Sequence, residues 1–147
     1  MSFHEWNDVM YGIEFPASPI DNEKLFAFIE NHRDVIAEYV GSDNIPTTSD
    51  NIDEWVDEYE DGMGYNGISA IVGDVISEHY IETAHDEYGN EYIGMYAANI
   101  FPWQKFHLYD EWKYVTPEYI EGKIRPVIEE LYGECPKFEE HTIWNCG

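Results

Sequence analysis

Basic side chains are scarce in this sequence, which has 7 lysines and arginines among 147 residues, against 31 aspartates and glutamates. The formal net charge of −24 lies far outside the magnitude of about 2–8 that is usual for a small soluble domain. Binding to nucleic-acid phosphates or to an anionic membrane surface requires clustered lysine and arginine. The charge balance therefore argues against both kinds of ligand and favours a basic protein as the partner.

Cysteine and long apolar runs are also scarce. Cys135 and Cys146 show no CxxC spacing and no close pair of histidines, so a zinc site is not indicated. No apolar run approaches the roughly 18 residues of a membrane span, and the N-terminal sequence lacks the basic and apolar regions of a signal peptide. We expect reduced thiols and a cytoplasmic protein, since a disulfide needs an oxidising compartment.

Material for a folded core is abundant, because 44% of the residues are hydrophobic and 16% are aromatic. This composition excludes a disordered acidic tail. The length predicts a single acidic domain over residues 1–147.

The hydrophobic periodicity and the turn residues predict the order of the elements. The predicted elements are a strand at 9–16, a helix at 24–40 ending at Gly41, a helix in 50–61 capped by Ser49 or Asp50, a glycine-rich turn at 61–67, a helix at 68–79, a hairpin with arms at 80–86 and 91–100, a strand in 105–115, a helix from Pro117 to Gly133 that Pro126 kinks or splits, and a strand at 138–146. Because the strands are grouped, we predict an α+β fold, in which a small antiparallel sheet of the hairpin and the terminal strands packs with about four helices.

The most informative segment is DNIDEWVDEYED, residues 50–61. Its apolar residues share one helical face, so its carboxylates crowd the other face. Rows of side chains three or four residues apart advance about 4.5–6 Å per step, a spacing comparable to that of phosphates along a nucleic-acid strand. An ordinary solvated helix face mixes charges of both signs, and we therefore predict a partner-binding face formed by Asp50, Asp53, Glu54, Asp57, Glu58, Glu60 and Asp61.

A second acidic group surrounds the predicted hairpin. Glu78 belongs to it, together with four residues of the predicted hairpin, Glu82, Asp86, Glu87 and Glu91. Because side chains alternate along a strand, Glu82 and Asp86 are expected to share one face of the first arm. We add these four residues to the predicted partner-binding surface.

No residue pattern identifies a reaction, and we predict no catalytic residue, no metal site and no cofactor. The segment that starts at Asp57 fails the EF-hand pattern, because Tyr59 and Ile68 stand at ligand positions. A carboxylate-dependent hydrolase acting on carbohydrate is the alternative, since it needs only two carboxylates about 5–9.5 Å apart. Its sugar could stack on some of the 12 tyrosines and 5 tryptophans. An acidic interaction or immunity protein is a further alternative.

In size, in charge and in its 50–61 segment, the chain resembles small acidic inhibitors that occupy the nucleic-acid sites of basic proteins. These include phage-encoded DNA mimics directed at restriction enzymes or CRISPR effector nucleases, and acidic immunity proteins of nuclease toxins. The resemblance implies surface carboxylates, competition with DNA or RNA, and no chemistry of the protein's own. It assigns no individual residue a role.

Overall fold

The computed structural model describes residues 5–60, 67–100, 107–108 and 114–146, with the backbone alone for residues 5, 99, 100, 107, 108 and 146. The fold is α+β, as predicted, with an antiparallel sheet and five α-helices in the described residues. Contacts divide the chain into two compact units. We call residues 1–15, 78–125 and 136–147 the sheet unit, and residues 16–77 and 126–135 the helical unit. The single domain expected from the length stays a prediction.

The sheet unit is built on five antiparallel strands in the described residues. They are β1 (Glu5–Glu14), β2 (Glu82–His85), β3 (Glu91–Ile100), β4 (His107–Leu108) and β5 (Glu139–Cys146). The order is β2-β3-β1-β5, and β4 pairs with β3 outside this order. The predicted hairpin and both terminal strands are therefore confirmed, but β1 begins at Glu5 and ends at Glu14, whereas the prediction placed the first strand at 9–16. Of the strand predicted in 105–115, the structure shows β4, while residues 105–106 and 109–113 lie outside the described residues.

The centre of the sheet requires glycine at two paired positions. Gly12 of β1 faces Gly94 of β3, and a Cβ atom on either glycine would collide with the backbone carbonyl of Ile93 or Tyr11 opposite. A side chain there would have to push the two strands apart. The close approach fixes which residues pair across the sheet, so that alternate residues such as Met10 and Ile143 enter the buried core of this unit.

The helical unit contains four complete helices, α1 (Asn22–Asn31), α2 (Arg33–Val40), α3 (Ile52–Asp57) and α4 (Ile68–Ile76). A short 3₁₀ helix covers Ser42–Asn44. The Asp21 carboxylate accepts a hydrogen bond from the backbone N–H of Lys24 at 2.8 Å, which is the side-chain cap that favours a helix start. Helix α3 contacts both α1 and α4, and its position decides where the acidic segment lies.

One helix was predicted over residues 24–40, and the structure divides it at His32. The His32 ring contacts Phe28, with 4.7 Å between the ring centroids, and its Nε2 lies 2.7 Å from Glu130 Oε2. These contacts accompany a non-helical backbone at His32, with φ −120° and ψ 20°. The apolar spacing continues on both sides of the break. Leu25, Phe28, Ile29 and Ile36 are buried, whereas Tyr39, which has the same spacing, is 48% exposed.

The predicted lengths of two other helices also need correction, and the last helix has the predicted length but is continuous. Helix α3 has six residues instead of about twelve, because Asn51 adopts a left-handed backbone with no side-chain cap and the Tyr59 carbonyl bonds to the Gly67 N–H. Helix α4 ends at Ile76, where Ser77 turns left-handed. The last helix, α5 (Pro117–Tyr132), runs through Pro126 without splitting.

Candidate functional site

The structure places the predicted acidic segment on the surface of the helical unit. Six of its seven carboxylates are in the described residues and all six are exposed. We call these six the α3 acidic face: Asp50, Asp53, Glu54, Asp57, Glu58 and Glu60. The seventh, Asp61, lies outside the described residues.

The opposite side of α3 fixes the orientation of the acidic face. Ile52 and Val56 are buried, as the apolar spacing predicts. Tyr59, just beyond the helix, is 4% exposed and its hydroxyl donates to Asp74 Oδ2 at 2.6 Å. Burial of this stripe leaves the carboxylates directed to solvent, because the two sets of residues occupy opposite faces.

The described lysines and arginines do not neutralise the α3 acidic face. In the described part of the chain, none of its six carboxylates forms a salt bridge with a lysine or arginine. Asp53 receives a 3.4 Å contact from the Asn22 side-chain amide, which carries no charge. Arg33 is engaged elsewhere, with Glu30 and with the Pro46 carbonyl. Like charges this close repel, so the face carries electrostatic energy that a basic ligand would relieve.

The negative charge is uneven between the two units. The helical unit has 17 acidic and 2 basic residues, a net charge of −15, whereas the sheet unit has 14 and 5, a net charge of −9. The helical unit therefore holds most of the excess charge, and the α3 acidic face contributes six of its acids.

The second acidic group is only partly a surface. Glu82 and Glu87 are exposed and Glu91 is half-buried. Asp86, in contrast, is only 7% exposed. Glu82 lies on β2, which ends at His85, and Asp86 follows the strand at the start of the turn. The shared face of Glu82 and Asp86 stays a prediction.

Asp86 organises the β2–β3 turn. Its Oδ1 accepts from the backbone N–H of Tyr88 at 2.9 Å and of Asn90 at 3.0 Å. Its Oδ2 accepts from the Asn90 side-chain amide at 3.1 Å and from the Tyr92 hydroxyl at 3.0 Å. All its bonds in this group are internal to the turn and strand, so we remove Asp86 from the partner-binding surface.

Two opposing effects set the pKa of Asp86. Burial alone would raise it, but the hydrogen bonds from Asn90, Tyr92 and Tyr88 outweigh burial and hold the pKa below its ordinary value of 3.8. Burial together with the bond to the Asp86 carboxylate raises the pKa of Tyr92 to about 12. Asp86 is thus an ionised acceptor and Tyr92 a neutral donor at physiological pH.

Two of the pockets formed by the described residues have α3 residues in their walls. The tryptophan pocket, about 410 Å³, is lined by Val40, Asn44, Trp55, Glu58, Tyr59 and Glu60. The proline pocket, about 240 Å³, is mostly apolar and includes Pro16, Pro19, Leu25, Asp53, Asp57 and Tyr132. Only the first reaches the range of roughly 300–1,000 Å³ that is usual for ligand sites.

Trp55 is one of the apolar residues of segment 50–61 that were expected to share the buried helical face, so the tryptophan pocket was not predicted. Trp55 is only half-buried, and its indole N–H donates to the Asn44 carbonyl at 3.0 Å. That bond comes from a loop eleven residues earlier, which no helical periodicity reveals. A tryptophan among acidic residues was the one available signal.

Within the described ranges, no group of three or more histidine, cysteine, aspartate or glutamate side chains is arranged to hold a metal ion. No helix among the same residues is long and apolar enough to cross a membrane. No protein-family model, curated protein or solved structure matches the chain.

The unneutralised carboxylates predict that salt stabilises the protein. Repulsion between exposed charges is screened within about 8–10 Å at 0.1–0.15 M salt, so the melting temperature is expected to rise between 10 mM and 0.5 M NaCl. A gain of about 1 kcal/mol corresponds to roughly 2–4 °C for a chain of this size. Calorimetry at several NaCl concentrations measures this, and a flat or falling melting temperature contradicts it.

Proposed function

We propose that this protein is a non-enzymatic acidic inhibitor that binds a basic nucleic-acid-binding protein in the cytoplasm. The binding blocks the DNA or RNA site of a partner such as a CRISPR effector or another defence nuclease. The observation that carries this proposal is the α3 acidic face, where six exposed carboxylates within eleven residues have no basic partner among the described residues.

The geometry of α3 supports mimicry of a phosphate backbone. Asp53 and Asp57 are four residues apart on one helix, which separates their Cα atoms by about 6 Å along the axis. Glu54 lies beside them and is also exposed. A basic groove that holds a row of phosphates would find a row of negative charges at a similar spacing on α3. Electrostatic attraction between such surfaces speeds the association of two proteins.

A second candidate is a carboxylate-dependent hydrolase acting on carbohydrate, which the tryptophan pocket favours. This pocket combines Glu58 and Glu60 with the half-buried Trp55 ring, and an aromatic ring and paired carboxylates suit a sugar. The inhibitor is preferred because the exposed acids extend beyond this pocket, to Asp50, Asp53 and Glu54.

The test of the proposed function is capture followed by displacement. The immobilised protein is expected to retain a basic nucleic-acid-binding protein from lysate at low salt and to release it at high salt. Duplex DNA or RNA added to the purified complex should displace the inhibitor competitively. Capture of a partner whose nucleic-acid binding is unaffected would overturn the inhibitor, and hydrolysis of an oligosaccharide would support the second candidate.

The protein itself is expected to bind neither DNA nor RNA. Its seven basic residues are scattered from Lys24 to Lys137, and the helical unit contains only two of them. A gel-shift titration at low ionic strength checks this. Micromolar binding to duplex DNA or to single-stranded RNA would contradict both the prediction and the proposed mimicry.

A further inference from the structure

The tryptophan pocket has rigid aromatic walls. The Trp55 and Tyr59 rings meet edge to face, with 5.5 Å between their centroids and 62° between their planes. Hydrogen bonds hold both rings, from Trp55 to the Asn44 carbonyl and from Tyr59 to Asp74. The Asn44 side-chain amide in turn donates to the Val40 carbonyl at 2.6 Å. The walls are therefore preorganised, which lowers the entropic cost of receiving a ligand.

The electrostatics of this pocket favour a cation. Glu58 and Glu60 line it and are exposed, and no described lysine or arginine forms a salt bridge with either. The face of an indole ring also attracts positive charge. Tyr59 is almost fully buried, so Trp55 is the aromatic surface that a ligand meets.

Arginine fits these walls better than lysine. Its planar guanidinium stacks on aromatic rings, is weakly hydrated and donates two parallel hydrogen bonds to a carboxylate. Lysine presents a compact, strongly hydrated charge that gains less from a flat indole. Arginine side chains seated in pockets are also frequent centres of binding energy in protein interfaces.

We propose that the tryptophan pocket is the anchor site for an arginine side chain of the basic partner. The guanidinium stacks on Trp55 and bonds to Glu58 and Glu60, while the rest of the α3 acidic face contacts surrounding basic residues. This inference rests on the proposed function, and it adds a specific contact to an attraction that is otherwise long-range. The proline pocket is not chosen, because it is smaller and Tyr132 is the one aromatic residue among the described residues that line it.

The test uses the full chain and the indole N–H signal of Trp55 in ¹⁵N-resolved NMR spectra, assigned by its loss in Trp55→Phe. The probes are N-acetyl-argininamide and its citrulline counterpart, which has a similar shape but no charge. Argininamide is expected to shift the Trp55 signal with a dissociation constant on the order of 1 mM, and citrulline amide at least tenfold more weakly. Equal effects of the two probes would overturn the inference, as would a shift caused by an oligosaccharide and not by argininamide.

Matched variants show whether the pocket carboxylates are responsible. The double variant Glu58→Gln/Glu60→Gln is expected to weaken argininamide binding at least fivefold. Glu139→Gln/Glu140→Gln removes the same charge from exposed positions of β5 and should change binding less than twofold. Equal weakening by both variants would overturn the pocket as the site.

The probe experiment is independent of the partner, so the two proposals fail separately. If argininamide does not bind but the protein still competes with DNA for its partner, the arginine anchor is wrong and the inhibitor stands. If argininamide binds as expected but no captured partner loses its nucleic acid, the inhibitor is wrong and the cation site stands.

Discussion

Replacing Asp50, Asp53, Glu54 and Asp57 by their amides is expected to slow association with the basic partner by roughly ten- to a hundredfold at low salt. The four side chains are exposed and none forms a salt bridge with a described lysine or arginine, so their charge acts outward. Exposed charges mainly steer the encounter of two proteins. Surface plasmon resonance at several salt concentrations should therefore show slower association and a shallower salt dependence.

The fold should survive this quadruple substitution. Like charges four residues apart, such as Asp53 and Asp57, destabilise a helix by a few tenths of a kcal/mol. Acids in the first turn of α3 interact favourably with the helix dipole by a similar amount. The melting temperature is expected to change by only a few degrees, which separates loss of recognition from loss of structure.

The control makes the same charge change elsewhere. Glu129, Glu134, Glu139 and Glu140 are all exposed, and their replacement by glutamine also removes four negative charges. This variant is expected to keep most of the association rate, because its charges are not on the α3 acidic face. Equal losses in the two variants would show that bulk charge drives binding, and the assignment of the face would be wrong.

Short-range patterns explain why the α3 acidic face was predictable. The spacing of Ile52 and Val56 determines which side of the helix is buried, and the acids then have only the other side. The helix ends were not predictable from this spacing. They depend on the left-handed backbone of Asn51 and on the bond between Gly67 and the Tyr59 carbonyl, which ends the helical pattern beyond α3.

The break at His32 shows the limit set by distant contacts. No glycine or proline lies between Lys24 and Val40, so local chemistry predicts one continuous helix. The partner of the His32 ring is Glu130, 98 residues later in the chain. Pairing at that separation leaves no trace in the local sequence. The hydrogen bond from the Trp55 indole N–H to the Asn44 carbonyl likewise joins a helix to a separate loop and could not be predicted from local spacing.

Asp86 was misassigned for a different reason, since its local signal was present. An aspartate that begins a turn often accepts hydrogen bonds from backbone N–H groups two or more residues later. The sequence from Asp86 to Asn90 contains Gly89, whose φ of 86° suits a turn. Asp86 was grouped with the neighbouring acids because of its charge, and its role as a hydrogen-bond acceptor inside the turn was therefore not predicted.

Asp86→Ala is expected to lower the free energy of unfolding by about 2–4 kcal/mol, the largest stability effect among the acidic residues discussed. The substitution removes all four hydrogen bonds to the carboxylate at once. It also leaves the buried Tyr92 hydroxyl without its acceptor. A buried donor without an acceptor costs roughly 1–3 kcal/mol. Tyr92→Phe, which removes one bond and no charge, should cost about 1 kcal/mol. Urea unfolding at pH 7 measures both, with the exposed Glu140→Ala as the control near zero.

The pH dependence of the same variants tests the cause. In the folded protein the pKa of Asp86 lies below its ordinary value of 3.8, so as the pH falls the Asp86 carboxylate is protonated in the unfolded chain before it is protonated in the folded one. The ionised carboxylate therefore stabilises the fold fully well above pH 4, and this contribution is lost as the pH falls through the folded pKa. Relief of repulsion among the other carboxylates acts in the opposite direction, but it is common to wild type and Asp86→Ala and cancels in their difference. That difference should therefore shrink between pH 5 and pH 2. A wild-type advantage over Asp86→Ala that is constant from pH 7 to pH 2 would show that the carboxylate charge contributes nothing to the turn.

At the alkaline end, the pKa of Tyr92 is raised to about 12. The stability that this hydroxyl contributes is therefore present below pH 10 and is lost between pH 10 and about pH 12. Tyr92→Phe should lack this loss.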